Sequence, residues 1–245
     1  MKLMVNGYEA HVATGGKKFE KNLPTVLFLH GSGLDHRSWA LQTRWFAYNG
    51  FGVLAPDFPG HSLSKGAPCV TIEDSGKWLA DFLDAMGVRE AHVVGHSQGF
   101  LSALELSKLR PTALKSLIGV GTAAAIPVNP MLIETAERSP MKAADLMLQW
   151  GFGHQTQMGV SATPGMQPIA IGRQIMGNNP LAIDLQCCAD YWGGVDAVGL
   201  VTAPSAMILA GQDKMTPIKA GLAIADHLQA KLVVLKDYGH MLPIE

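Results

Sequence analysis

The segment Gly95-His96-Ser97-Gln98-Gly99 places a serine between two glycines in the spacing of a serine nucleophile. The apolar run from Ala91 to Gly95 is typical of a buried strand, and Phe100 to Leu109 has a largely apolar helical pattern. A sharp strand-to-helix turn holds such a serine above a sheet, with glycines where side chains would collide. The five-residue pattern alone also fits an ordinary turn, but this context predicts that Ser97 is a nucleophile.

A serine hydroxyl attacks a carbonyl effectively only when a base accepts its proton, so a histidine must lie nearby. In the strand–turn–helix context of Ser97 the chain order is serine, acid, histidine. Three histidines follow Ser97, namely His154, His227 and His240. His154 lies in an irregular region and His227 in a predicted helix, whereas His240 follows a predicted strand at Lys231 to Leu235. We therefore predict that His240 is the general base.

The acid must hold the imidazole in the correct tautomer and stabilise its charged form. Asp213 follows a predicted strand at Ser205 to Ala210, so it should lie at the same sheet edge as Ser97. Asp237, on the loop of His240, remains the alternative. The other candidates are in or beside the irregular region or within a helix: Asp145, Asp184, Asp190, Asp196 and Asp226. Its position directly after a predicted strand favours Asp213 as the acid.

Attack on a carbonyl creates an oxyanion that needs two fixed hydrogen-bond donors. One is predicted to be the backbone N–H of Gln98, the residue after the nucleophile. The other should come from the turn after the strand at Thr25 to His30, most simply the N–H of Ser32, with Gly33 as the alternative. This turn could also be a flexible loop, whereas a phosphate-binding turn would need a Lys-Ser/Thr pair that is not present.

Strands and helices alternate along the chain before residue 126 and again after residue 196, and Asn6-Gly7 signals a hairpin at the start. This alternation predicts an α/β fold with a parallel sheet covered by helices on both faces. We predict that residues 1–126 form the first part of a core domain. Residues 127–196 form a helical cap insertion, and residues 197–245 form the second part of the core.

Composition excludes several classes of function. The 245 residues are 48% hydrophobic and 16% charged with a net charge of −1, which favours neither a nucleic-acid nor an anionic membrane partner. We expect no signal peptide, because the apolar stretch at the start is too short and too soon interrupted, and no apolar run reaches the roughly 18 residues that span a bilayer. Cys69, Cys187 and Cys188 suggest neither a disulfide framework nor metal-ligand spacing, so we expect a cytoplasmic protein without a bound metal. The oligomeric state is not indicated.

Several segments, taken in order along the chain, resemble the α/β-hydrolase superfamily. They are His30-Gly31 followed by Trp39, the segment from Asp57 to Ser64, Gly95 to Gly99, Gly211 to Asp213, and Gly239-His240. The resemblance implies a mostly parallel sheet of about eight strands with a helical cap over the site. It also implies that Ser97, Asp213 and His240 form a catalytic triad, that Ser32 and Gln98 are oxyanion donors, and that no cofactor is needed.

The sequence departs from the family pattern at three places. Ser62 and Phe100 stand where the family often has glycine, and the sequence ends at Glu245, where the family normally continues with a closing helix. We expect that helix to have been lost or to lie outside this sequence. His30, His61 and His96 also lie near strand ends, where we expect them to be hydrogen-bonded structural residues.

A serine at the nucleophile position argues against relatives that use an aspartate, such as haloalkane dehalogenases and epoxide hydrolases. The resemblance then implies attack on an ester, thioester, lactone or similar acyl group, and we expect a carboxylic ester hydrolase acting on a small molecule. The alternatives are lyase, perhydrolase or carbon–carbon hydrolase chemistry, or a ligand-binding receptor with little turnover. An apolar pocket is expected from five cap residues, with the core of the cap as the alternative place for them: Met131, Leu132, Trp150, Phe152 and Met158.

Overall fold

Eight strands form one sheet in the computed structural model, which describes residues 1–161 and 163–245. They are β1 (Lys2–Val5), β2 (Tyr8–Ala13), β3 (Thr25–Leu29), β4 (Gly52–Pro56), β5 (Ala91–His96), β6 (Leu114–Val120), β7 (Ser205–Ala210) and β8 (Lys231–Leu235). The order is β1-β2-β4-β3-β5-β6-β7-β8. Strands β1 and β2 pair antiparallel, as do β2 and β4, and the remaining pairs are parallel. The predicted fold class is confirmed.

Local sequence explains the edge and the centre of this sheet. Asn6 and Gly7 have φ values of 50° and 82°, the positive values that a tight two-residue hairpin requires. Strands β3 and β4 are buried along their whole length, as expected for parallel strands covered on both faces.

Ten α-helices connect or cover the strands. They are α1 (Ala40–Tyr48), α2 (Ile72–Met86), α3 (Gln98–Leu109), α4 (Pro130–Arg138), α5 (Pro140–Gly151), α6 (His154–Gln157), α7 (Pro168–Met176), α8 (Leu181–Asp190), α9 (Gly194–Val198) and α10 (Ile218–His227) within the described residues. Helix α2 is capped at its start by Thr71, whose hydroxyl accepts the N–H of Asp74 at 3.0 Å, and at its end by Gly87 with φ 65°. Helix α3 runs directly from the turn that holds Ser97.

Six of these helices, α4 to α9, lie between β6 and β7. Helices α4, α5, α7 and α8 share an apolar cluster that includes Leu132, Met147, Leu148 and Ile175, and Leu34 and Met241 from the core join it. Helix α9 instead contacts α3, and the predicted segment limit at residue 196 falls inside it. The helices above the sheet are thus packed directly on the loops at its carboxyl edge.

Three further observations concern the length and polarity of the helices, the cysteines, and the chain after β8. Within residues 1–161 and 163–245, every helix is too short or too polar to cross a bilayer. Cys69, Cys187 and Cys188 are free thiols. Beyond β8 the described chain continues in turns to Glu245, and Leu232 and Val233 of β8 are 44% and 48% exposed.

Candidate active site

The turn between β5 and α3 holds Ser97 with φ 51° and ψ −120°, a conformation that non-glycine residues rarely adopt. A Cβ atom at Gly95 would lie 2.5 Å from the backbone of Phe100, and one at Gly99 would lie 2.5 Å from the carbonyl oxygen of Leu29. Only glycine fits at either position, as the spacing suggested. The Ser97 N–H donates to the Val120 carbonyl at 3.1 Å, which ties the turn to β6.

His240 lies on the loop after β8, with its Nδ1 atom 2.9 Å from Oδ2 of Asp213. Both side chains are buried. A hydrogen on Nδ1 that donates to the carboxylate leaves Nε2 as the basic nitrogen, which is the tautomer a general base needs. The structure therefore pairs the predicted base with the predicted acid.

Asp213 is itself held by its neighbours. Its Oδ1 atom accepts the N–H groups of Met215 and Thr216 at 2.8 and 2.7 Å, and its Oδ2 atom accepts the Thr216 hydroxyl at 2.7 Å. Burial alone would raise the pKa of Asp213, but the charge of His240 and these hydrogen bonds outweigh it and hold the pKa below its ordinary value. The carboxylate facing His240 is therefore ionised at neutral pH.

The other candidate bases and acids lie elsewhere. His154 is the first residue of α6 and His227 is the last residue of α10. Asp237 shares the loop of His240, yet Asp213 is the carboxylate that contacts the imidazole in the described part of the chain. The position of Asp213 at the end of β7 explains this, because that end lies beside the loop after β8.

A cavity of about 180 Å³ lies above the sheet edge, and Ser32, Ser97 and His240 all line it. Its walls are mainly apolar and come from both core loops and cap helices: Leu34, Ile126, Val128, Leu132, Met147, Trp150, Leu185, Met215 and Met241. Asn129, Cys188 and Lys214 add polar atoms. The predicted nucleophile and the predicted base therefore face one apolar cavity.

Two of the five cap residues expected in the pocket, Leu132 and Trp150, line this cavity. Phe152 lies in the alternative place, the core of the cap, and the pocket expectation was wrong for Met131 and Met158. Phe152, the residue directly after α5, is buried in the apolar cluster that α4, α5, α7 and α8 share. Met131 and Met158 are 73% and 74% exposed, because α4 turns Met131 outward and Met158 lies at the end of the short helix α6.

The predicted oxyanion donors lie side by side. Gln98 is the first residue of α3, so its N–H has no acceptor within the helix. The turn from Gly31 to Leu34 is closed by the Leu34 N–H, which donates to the Gly31 carbonyl at 3.1 Å. The Ser32 hydroxyl donates to Oε1 of Gln98 at 2.8 Å and so links the two residues.

The structure distinguishes Ser32 from the alternative donor. The N–H of Gly33 donates to Oδ2 of Asp184 at 2.7 Å. The N–H of Ser32 has no acceptor among the residues that the structure describes. Of these two N–H groups, the one of Ser32 is therefore free, and Ser32 lines the same cavity as Ser97.

The three buried histidines near the strand ends are hydrogen-bonded, as expected. His96 has its Nε2 atom 2.8 Å from the carbonyl oxygen of His240, and burial lowers its pKa to about 3. His30 accepts the N–H of Phe58 at 3.2 Å, and burial lowers its pKa to about 4. His61 contacts Asp184 at 2.9 Å. His96 and His30 are neutral at neutral pH and are not bases for Ser97.

One cluster could hold a divalent cation. Potential ligand atoms of His11, His36 and Asp57 lie within 4.8 Å of one another. The Nδ1 atoms of the two histidines are 3.1 and 2.8 Å from the Asp57 carboxylate, so the three side chains already satisfy each other by hydrogen bonding. No sequence pattern indicates this cluster, because its members come from β2, the turn before α1 and the loop after β4. None of the three lines the cavity of Ser97.

Comparison with protein families matches residues 26–245 to the alpha/beta hydrolase family. A 2-hydroxy-6-oxononadienedioate/2-hydroxy-6-oxononatrienedioate hydrolase from Dechloromonas aromatica is 28% identical over 234 residues, which are 88% of this chain and 80% of the relative. A dihydrolipoyllysine-residue acetyltransferase component of the acetoin cleaving system from Cupriavidus necator is 37% identical over 105 residues. That match covers 40% of this chain and only 28% of the relative.

Solved structures show the same fold. The enol-lactonase from Burkholderia xenovorans has a TM-score of 0.85 at 23% identity, with 98% of this chain and 93% of that chain covered. An esterase from Thermogutta terrifontis has a TM-score of 0.83 at 24% identity, with 100% and 92% covered. Together with the strand-to-helix turn of Ser97, these findings show that the chain belongs to the alpha/beta hydrolase family.

Proposed function

We propose that this protein is a serine hydrolase that cleaves a carboxylic ester of a small molecule through an acyl-enzyme on Ser97. The observation that carries the proposal is the 2.9 Å hydrogen bond between Asp213 and His240 beside a cavity that both His240 and Ser97 line. A serine in a positive-φ turn, a buried histidine and an ionised buried aspartate are the parts that acyl transfer requires.

In the acylation step, Ser97 Oγ forms a bond to the carbonyl carbon while His240 Nε2 takes the hydroxyl proton. The negative charge on the carbonyl oxygen is stabilised by the N–H groups of Ser32 and Gln98. His240 then gives the proton to the departing alcohol oxygen, and the carbon–oxygen bond breaks. The ionised Asp213 stabilises the imidazolium throughout.

In the deacylation step, water attacks the acyl carbon and His240 accepts a proton from it. The bond to Ser97 Oγ breaks, and His240 returns the proton to the serine. The products are a carboxylic acid and the regenerated enzyme. The same two N–H donors serve both steps, because the same carbonyl oxygen is charged in each.

The walls of the cavity favour a substrate whose acyl or alcohol group is small and mainly apolar. The volume of about 180 Å³ and the side chains of Leu132, Met147 and Leu185 favour hydrocarbon over strongly charged groups. The free energy of binding comes mainly from these contacts, whereas bond formation depends on groups at the sheet edge.

A second candidate is hydrolysis of a carbon–carbon bond next to a ketone. The observation that favours it is the match over 88% of this chain to a relative named for a hydroxy-oxo-dienedioate, a compound that contains no ester bond. The same nucleophile, base and oxyanion donors would serve this reaction, since it also passes through attack on a carbonyl carbon.

The test is a comparison of kcat/KM for aryl and alkyl esters with that for a 2-hydroxy-6-oxo-dienoate. We expect steady turnover of the esters, with an initial burst of about one alcohol per chain for esters whose deacylation is the slower step. Turnover of the dienoate at 100-fold the rate of every ester would favour the second candidate. Tight binding of an ester without turnover would mean a receptor instead.

A further inference from the structure

The turn that carries the Ser32 N–H is held from above by helix α8. On this helix, Leu181, Asp184 and Cys188 are spaced three and four residues apart and therefore lie on one face. Asp184 accepts the Gly33 N–H at 2.7 Å, and Cys188 Sγ lies 3.5 Å from the Ser32 hydroxyl. A Cβ atom added to Gly33 would lie 2.7 Å from Leu181. One face of α8 therefore covers the turn.

The Asp184 carboxylate is buried and has a charged partner. Its Oδ2 atom lies 2.9 Å from Nε2 of His61, whose Nδ1 atom lies 3.0 Å from the carbonyl oxygen of Pro59. Both ring nitrogens thus face acceptors, which requires a hydrogen on each and makes the ring an imidazolium. A buried carboxylate opposite this cation has a fixed place, and the Gly33 N–H that it accepts is fixed with it.

Asn179, in the loop between α7 and α8, holds the same turn from another side. Its amide nitrogen donates to the carbonyl oxygens of Gly33 and Leu34 at 3.0 and 3.1 Å, and its Oδ1 atom accepts the Ser62 N–H at 2.8 Å. The peptide units on both sides of Gly33 are therefore bound to side chains from the segment above the sheet. Gly33 has φ 67°, a left-handed conformation that glycine adopts but does not prefer. The glycine alone therefore does not hold the turn in this shape, and the bound side chains do.

We propose that Asp184 is a positioning residue for the oxyanion site, which it serves by fixing the turn that carries the free N–H of Ser32 at the edge of the cavity. This inference rests on the proposed function. A loosened Ser32 N–H would weaken the stabilisation of the charged intermediate and leave binding of the neutral substrate unchanged. The segment above the sheet then contributes to the chemical step as well as to substrate selection.

The test uses Asp184→Asn, which keeps the size of the side chain and removes its charge. Asp190→Asn is the matched control, because Asp190 lies on the same helix, is exposed, and accepts a hydrogen bond from Gln186. The measurements are kcat and KM for a short-chain ester, and the affinity for an alkyl boronic acid that forms a tetrahedral adduct with the serine. Removal of one oxyanion donor costs about 10²–10³ in kcat, and a misaimed donor should cost less.

We expect kcat of Asp184→Asn to fall about 10- to 100-fold, with KM changed less than twofold and the boronic acid bound more weakly by a similar factor. Asp190→Asn should match the wild type. Unchanged kcat, or a rise in KM that accounts for the whole loss, would overturn the role of Asp184 while leaving the proposed function intact. Absence of Ser97-dependent turnover in the wild type would instead overturn the proposed function.

If Asp184→Asn does not fold, Asp184→Glu replaces it. Glutamate keeps the charge opposite His61 but moves the acceptor relative to the Gly33 N–H. The inference predicts the same split, with lower kcat and unchanged KM. Full activity of folded Asp184→Glu would contradict it.

Discussion

At the scale of single residues, the Asp213 carboxylate makes several hydrogen bonds besides the one to the imidazole of His240. It accepts two backbone N–H groups and the Thr216 hydroxyl in addition to the His240 ring. These contacts keep the carboxylate ionised despite its burial and fix its direction. The orientation of His240 thus depends on the turn that follows β7.

The first prediction separates Asp213 from Asp237. Asp213→Asn should lower kcat by about 10⁴, the size found for the orienting aspartate of a serine protease, because the imidazole loses its tautomer preference. Asp237→Asn is the matched control on the loop of His240 and should have little effect. Steady-state kinetics on an aryl ester measure both. If Asp237→Asn lost the activity and Asp213→Asn kept it, the acid would be Asp237 after β8, and our assignment would be wrong.

The positions of Ser97, Asp213 and His240 could be predicted because each follows a strand that its own apolar run identifies. Gln98 follows the same strand as Ser97, and Ser32 follows β3, whose apolar run is equally clear. The residues that hold these groups, such as Thr216, Asn179 and Asp184, could not be recognised, because their partners are far away in sequence. Asp184 lies 151 residues from Gly33 and 123 from His61. Nothing in local periodicity marks such a contact.

At the scale of elements, the strands were predictable to within a few residues, and β7 and β8 have the predicted bounds. Short apolar runs bounded by glycine, proline or polar turns are a strong signal. The individual helices above the sheet were not predictable. Helix α6 has four residues and α9 has five, too few to show a 3.6-residue period. Several of the others begin at proline, which also occurs in loops.

The second prediction concerns the helices that line the cavity. Trp150, near the end of α5, lines it, whereas Trp192 is 71% exposed and does not. Trp150→Ala should change kcat/KM across a series of acyl chain lengths by about 1–3 kcal/mol for each methylene that packs against the indole, and should spare an acetyl ester. Trp192→Ala should leave the series unchanged. Circular dichroism checks folding.

Other outcomes for Trp150→Ala have distinct meanings. Equal loss for all chain lengths, acetyl included, would mean that Trp150 supports the fold of the cap. An unchanged series would place the acyl chain elsewhere in the cavity.

At the scale of the whole molecule, stability should fall in mild acid because two buried histidines are neutral in the fold. Burial lowers the pKa of His96 to about 3 and that of His30 to about 4, below the 6.5 of an exposed histidine. At a pH between these lowered pKa values and 6.5, the unfolded chain binds more protons than the folded chain does. The free energy of unfolding therefore falls as the pH falls. Burial alone would also lower the pKa of His61, but Asp184 and the Pro59 carbonyl outweigh it and raise that pKa. His61 therefore stabilises the fold at low pH and loses that effect only as the pH rises.

The third prediction follows from the directions of these pKa shifts. Between pH 6 and pH 5 the free energy of unfolding should fall by about 2.4 kcal/mol, because each of His30 and His96 contributes about 1.2 kcal/mol, slightly less than the limit of about 1.4 kcal/mol per pH unit. His96→Gln keeps a donor for the His240 carbonyl and should reduce the fall by about half. Urea unfolding at both pH values measures it. A stability independent of pH across this interval would contradict the neutral state of the two rings.

The central claim is that Ser97 forms a covalent bond with the substrate acyl group. The most direct measurement is the reaction of wild type and Ser97→Ala with a fluorophosphonate, followed by intact-protein and peptide mass spectrometry, with circular dichroism of both proteins. We predict one label per wild-type chain, located on Ser97. We predict none on the folded variant, with ester hydrolysis lower by about 10⁶, as for the serine of subtilisin. A label that persists on Ser97→Ala, or hydrolysis that survives the substitution, would contradict the claim.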